Sequence, residues 1–243
     1  MEKLPMSLWI FFGLALLQTG LGDEPDAAQP QPVADGGWIR KFEKQKSELG
    51  APIDLLFVGD SLTELWAHTG KPVWDLEFNA FSAVNLGISG DRTEHILYRV
   101  QNSPIRESRP KVIVLLAGTN NLAKIPPDSP AETAAGLRSI VESLRRASSN
   151  SAMILISIPP NGRDPDSALR ARVVETNKRL AEFSGQEGVR FLDIHDAFLD
   201  ESSRWKPGLT LDGTHFSREG YDVLARQLRP LIDELFRQPE AEK

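Results

Sequence analysis

Four short segments of this chain carry residues able to perform acyl-transfer chemistry. They are Gly59-Asp60-Ser61-Leu62, Asn85-Leu86-Gly87-Ile88-Ser89-Gly90-Asp91, Ala117-Gly118-Thr119-Asn120-Asn121 and Asp212-Gly213-Thr214-His215-Phe216-Ser217. Hydrolytic acyl transfer needs a nucleophile, a base, an acid that orients the base, and donors for an oxyanion. Ser61 follows a glycine and an apolar run, which exposes a hydroxyl near a helix start. His215 has a carboxylate three residues upstream, so Asp212 can accept from one ring nitrogen while the other faces Ser61. Gly90 lets a backbone N–H approach a ligand closely. Asn120 offers a side-chain amide as donor. Each segment alone is ordinary: Gly-Asp-Ser and Gly-Thr-Asn-Asn occur as turns, Asp212 and Ser217 suit helix capping, and His215 alone reads as a surface residue. Their joint occurrence, three of them directly after strand-like runs, argues for one site.

The elements that must position these residues alternate between two periods. Short apolar runs at Ile53–Val58, Ser82–Leu86, Val112–Leu116, Met153–Ile158 and Val189–Leu192 read as strands buried on both faces, hence as a parallel sheet. Helical patterns lie between them, at about Glu94–Gln101, Ala131–Ala147, Ser167–Ser184 and Arg218–Phe236. In the last, Tyr221, Leu224, Leu228, Leu231 and Leu235 form one apolar stripe, and Ser217 is a suitable N-cap. Trp38, Phe42 and Leu49 suggest an amphipathic helix leading in. Strand–helix alternation predicts a three-layer α/β fold. Ligands of such sheets bind beyond the carboxyl ends of the strands, where three of the four polar segments begin.

Length and composition bound the alternatives. The chain has 243 residues and a formal net charge of −6, so it is one domain with tails and lacks the basic surface of a general nucleic-acid binder. It has no cysteine, which excludes disulfides, a Cys nucleophile and thiolate metal sites. No His-Glu-x-x-His spacing is present, so neither a metal nor a cofactor is expected. Leu8–Leu17 is almost wholly apolar, too short to cross a hydrocarbon core of ~30 Å, and Gly20 and Gly22 follow. Residues 1–22 therefore read as a cleaved secretory signal, leaving no stable membrane anchor and a secreted or periplasmic protein. Residues 23–35 are polar, with Pro25, Pro30 and Pro32, and read as a disordered linker. The domain is then 36–237, followed by a solvated tail at 238–243.

The four segments resemble the SGNH (GDSL-type) hydrolase superfamily: Gly59-Asp60-Ser61 its Ser block, Gly87–Asp91 its Gly block, Gly118–Asn121 its Asn block, Asp212–His215 its Asp-x-x-His block. Within it the chain is similar to the catalytic subunits of platelet-activating-factor acetylhydrolase type Ib, through Leu56–Ser61, Asn85–His95 and Pro110–Val114 followed by Gly118–Asn121. The resemblance implies a flavodoxin-like five-stranded parallel sheet, order 2-1-3-4-5, and a metal-free esterase. It implies Ser61 as nucleophile, His215 as base, and the Ser61 N–H, the Gly90 N–H and the Asn120 side chain as oxyanion donors.

Two features depart from those subunits. A signal peptide is out of place in an intracellular enzyme, and Thr214 stands where they carry a bulky apolar residue. The expected activity is hydrolysis of short acyl esters, acetyl above all, of a glycan or lipid. A lysophospholipase or thioesterase is the alternative within the class, and a glycan-binding module on a hydrolase fold the alternative outside it. Leu62 and Thr214 are expected to wall the acyl pocket, Leu62 keeping it short. His68 and His195 lack a matching partner, and His95 is expected to brace the Gly90 loop. Trp66, Trp74 and Trp205 suit either a sugar platform or packing. A second copy of the chain is an open partner.

Overall fold

The computed structural model describes residues 24–183, 185 and 188–237. The expected leader at 1–22 and tail at 238–243 lie outside the described residues. Five parallel strands, β1 (Leu55–Gly59), β2 (Ala83–Gly87), β3 (Val112–Leu116), β4 (Ala152–Ile156) and β5 (Val189–Leu192), form one sheet in the order β2-β1-β3-β4-β5. This is the expected flavodoxin-like arrangement. Register aligns Gly59 with Gly87 and Leu116, so the first three strands end level and their following loops meet on one edge.

The helices are α1 (Gly36–Ser47), α2 (Ser61–Glu64), α3 (Lys71–Glu77), α4 (Thr93–Gln101), α5 (Ile105–Ser108), α6 (Thr119–Ala123), α7 (Pro130–Ala147), α8 (Ala168–Ala181) and α9 (Arg218–Arg237). Strand side chains alternate between two apolar cores. Leu56, Val58, Ile113, Leu115, Met153 and Leu155 pack against α4, α7 and α8. Leu55, Phe57, Val114, Leu116, Ile154 and Ile156 pack against Val73 of α3 and the stripe Tyr221, Leu224, Leu228 and Ile232 of α9. Burying both faces is what allows the near-continuous apolar strands. Ser217 caps α9 as expected, its Oγ accepting from Gly220 N–H at 3.0 Å.

The disordered linker expected at 23–35 does not hold for residues 24–35. Asp26–Ala28 is a 3-10 turn with Ala27 and Ala28 buried. The Ala27 carbonyl accepts from Thr93 Oγ1 at 2.7 Å, and Gln31 N–H donates to the Glu94 carbonyl at 3.0 Å. Gly136 of α7 makes room, since a Cβ there would lie 2.3 Å from the Ala27 oxygen. Composition misjudged the segment because it docks with small side chains and backbone bonds. Its prolines also reduce the entropy lost on ordering.

Candidate active site

The nucleophile candidate is positioned by the end of β1. Asp60 caps α2, its Oδ1 accepting from Leu62 N–H at 2.9 Å, and its carbonyl takes the N–H groups of Thr63 and Glu64 at 3.1 and 2.9 Å. That leaves the N–H of Ser61 unclaimed among the described residues, at a helix start where backbone N–H groups lack intrahelical acceptors. The turn is seated directly on the sheet: a Cβ at Gly87 would fall 2.1 Å from Glu64 N. Glu64 in turn holds the next loop, its Oε2 accepting from Ser89 N–H at 2.6 Å and Oε1 pairing with Lys41 at 2.5 Å.

Ser61 Oγ lies 3.0 Å from His215 Nε2, although 154 residues separate them. His215 Nδ1 lies 2.7 Å from Asp212 Oδ2. A carboxylate only accepts, so Nδ1 carries the hydrogen and Nε2 is free to receive one from Ser61. Asp212 Oδ1 is held by the N–H groups of Thr214 and His215, at 2.9 and 2.8 Å. Partial burial would raise the Asp212 carboxyl, but the bonds from the His215 ring and from these two N–H groups outweigh it and hold it down at about 2. An acid depressed in the fold contributes above its unfolded value and is lost only as pH falls through its folded one. Asp212 therefore stays ionised across the whole working range of an esterase.

Gly90 is exposed with φ +83°, a left-handed conformation that other residues adopt at a cost. Asn120 Nδ2 donates one hydrogen to the Asp91 carbonyl at 2.8 Å. An amide nitrogen carries two, so the second is free for a ligand. Asn121, by contrast, is fully buried: its Oδ1 accepts from Thr93 N–H and the two hydrogens of its Nδ2 are shared among Thr93 Oγ1, Glu94 Oε2 and Asp128 Oδ2. The two neighbouring asparagines thus split between an open donor and a tie that fixes the start of α4.

Leu62 is a correction. Its side chain is 0% exposed and packs in the core with Phe57, Trp66 and Tyr221, so it does not wall the acyl pocket. In a one-turn helix, adjacent residues point in different directions, and placing Ser61 at the cleft sends Leu62 inward. Leu62→Ala is accordingly expected to cost about 2–5 kcal/mol of stability through a core cavity. The acyl-chain preference should not move, as measured by denaturant unfolding beside an ester-length series. Thr214 is half-buried, its hydroxyl donating to Asn161 Oδ1 at 2.7 Å.

Other residues resolve simply. His95 Nδ1 accepts from Arg92 N–H at 3.1 Å, capping α4 just after the Gly90 loop. His195 does have a carboxylate, Asp196 at 3.0 Å, away from the triad. Trp66 is buried against Tyr221, ring centroids 4.4 Å apart, and Trp205 packs on Phe198 and Phe216. Trp66 is thereby a core residue and not a sugar platform.

The sequence reading assigned no role to the side chains behind the site. Asp60 is fully buried with Oδ2 unpartnered; burial and the nearby Asp91 charge push its carboxyl up to about 7. Asp91 and Arg99 form a buried ion pair at 2.7 Å. Asp91 was visible beside Gly90, but nothing in a linear sequence links it to Arg99 or to Trp38. Among the described residues no group of three or more His, Cys, Asp or Glu side chains is placed to hold a metal ion.

The chain is similar to known proteins in sequence and in fold. Residues 57–223 match the GDSL-like Lipase/Acylhydrolase family. The alpha1 subunit of human platelet-activating factor acetylhydrolase IB is 28% identical over 228 residues, 91% of this chain and 95% of that protein. The rat alpha2 subunit is 30% identical over 191 residues, 78% of this chain and 80% of its own. Two solved structures share the fold. A GDSL-like lipase from Bacteroides thetaiotaomicron has a TM-score of 0.69 at 22% identity, covering 80% of this chain and 97% of that one. Axe2, an acetylxylan esterase from Geobacillus stearothermophilus, has a TM-score of 0.61 at 20% identity, covering 76% and 96%. With its four motif segments gathered on one sheet edge and the family match spanning most of its length, the chain belongs to the GDSL-like lipase and acylhydrolase family of SGNH hydrolases and is a carboxylic-ester hydrolase.

Proposed function

We propose that this protein is an exported serine esterase that removes short acyl groups, acetyl above all, from a glycan or lipid alcohol through an acyl-enzyme. The observation that carries the reading is the aligned series Ser61 Oγ, His215 Nε2, His215 Nδ1 and Asp212 Oδ2, with contacts of 3.0 and 2.7 Å. Ser61 attacks the ester carbonyl while its proton passes to His215 Nε2. Asp212 holds the ring in the required tautomer and stabilises the imidazolium that forms. The tetrahedral oxyanion is received by the Ser61 N–H, the Gly90 N–H and the free hydrogen of Asn120 Nδ2. His215 then gives its proton to the departing alcohol. Water, deprotonated by His215, attacks the acyl-enzyme and releases the carboxylic acid and Ser61. No step calls for a metal or cofactor.

The preference for acetyl is supported by the names of relatives, an acetylhydrolase and an acetylxylan esterase. Export is supported by the apolar run Leu8–Leu17 and the small residues after it. The test is kcat/KM on p-nitrophenyl esters from C2 to C12. The expected maximum is at C2, with butyrate accepted and octanoate rejected, as a preference for acetyl requires. A maximum at C8 or beyond would replace this reading with a lipase or thioesterase.

A further inference from the structure

The loop carrying Gly90 is anchored from a helix that the triad does not use. Asp91 is 1% exposed and its two carboxylate oxygens are held from different elements. Arg99 Nε of α4 donates to Oδ2 at 2.7 Å, and Trp38 Nε1 of α1 donates to Oδ1 at 2.7 Å. Arg99 also donates to the Leu86 carbonyl at 2.7 Å and the Gly59 carbonyl at 3.0 Å, the ends of β2 and β1. The Asp91 carboxylate is therefore fixed relative to the strand that ends in Ser61. Its own carbonyl receives the Asn120 amide at 2.8 Å.

We propose that Trp38, acting through Asp91, is a positioning residue for the Asn120 amide, an inference that rests on the reading of Asn120 as an oxyanion donor. The stereochemistry is specific. One Nδ2 hydrogen is spent on the Asp91 carbonyl, which fixes the amide torsion, and the other is then aimed in a single direction. That direction is only as well defined as the Asp91 carbonyl. An oxyanion donor works by being in place before charge develops, so slack in the carbonyl appears in kcat and hardly in KM.

Trp38 is separable from the rest of the relay. Its ring packs against Phe42 and Tyr98 and beside Ile88, while only its N–H reaches Asp91. Trp38→Phe keeps an aromatic ring in that cluster and deletes the donor. Oδ1 then faces His95 Nδ1 at 3.9 Å, beyond hydrogen-bond reach, and Asp91 must shift to find a partner. Arg99, which also holds strand carbonyls, permits no such clean removal.

The experiment is a double-mutant cycle of Trp38→Phe and Asn120→Ala, read as kcat and KM on p-nitrophenyl acetate, with folding checked by near-ultraviolet circular dichroism. Trp38→Phe is expected to lower kcat roughly tenfold, below the 10²-fold that a 1 Å misplacement can cost, with KM nearly unchanged. In the Asn120→Ala background the same substitution should cost less than about twofold, because its target is gone. An unchanged kcat in Trp38→Phe, or an equal loss in both backgrounds, would overturn the relay and leave the esterase reading intact. An inert Asn120→Ala would overturn the oxyanion assignment and the relay with it. If Trp38→Phe fails to fold, Trp38→Leu, which also lacks the donor, takes its place in the cycle under the same criteria.

Discussion

Ser61→Ala is expected to reduce kcat by about 10⁶-fold, the size of loss seen when a serine hydrolase loses its nucleophile or base. The substitution removes one oxygen whose side-chain partner is the ring of His215. The Asp60 cap and the Leu62 packing that build α2 remain. The melting temperature should therefore stay close to that of the parent while turnover disappears. Steady-state hydrolysis of p-nitrophenyl acetate by the purified variant, alongside a thermal melt, checks both halves. Retention of a tenth of the rate would require a different nucleophile.

Asn120→Ala should lower kcat by roughly 10²–10³ and leave KM nearly constant, since its free hydrogen acts on charge that exists only in the transition state. Asn121→Ala is the natural comparison. It deletes four hydrogen bonds in a buried cluster with Thr93, Glu94 and Asp128. Its main effect should be on unfolding free energy, with a smaller one on kcat through the start of α4. Measuring kcat and a denaturant midpoint for both variants distinguishes the roles. A larger kcat loss at Asn121 would exchange the two assignments.

Much of this molecule could be read from its sequence because burial leaves a local record. Val112–Leu116 is apolar throughout since both faces of β3 are covered, and its strand bounds follow directly. The stripe on α9 likewise records one neighbour on one face. Ser61, His215, Asp212 and Asn120 were legible because each follows a strand or precedes a capped helix. What stayed hidden depends on direction or on distant partners. Leu62 adjoins the nucleophile in sequence yet turns away from it, and no periodicity exists in a four-residue helix to show this. Trp38 meets Asp91 across 53 residues, and its apolar ring gave it an ordinary place on an amphipathic helix. The segment at 24–35 looked unstructured because alanine leaves little hydrophobic signal even when, like Ala27 and Ala28, it is buried.

That segment and α1 also bear on what counts as the autonomous unit. The family match begins at residue 57 and stops at 223, before most of the α9 stripe. A chain cut at those bounds would lose Leu224, Leu228 and Ile232 from one core, and Ala27, Ala28, Trp38 and Phe42 from the flank of α4 and α7. It would also leave the first strand without its Leu55 and Leu56. The recurrent part of the family is thus the chemical part, whereas the part able to stand alone is longer at both ends. Modules recognised by shared motifs and modules defined by closed packing need not coincide. Here the difference is α1 with the segment before it at one end of the chain and most of α9 at the other.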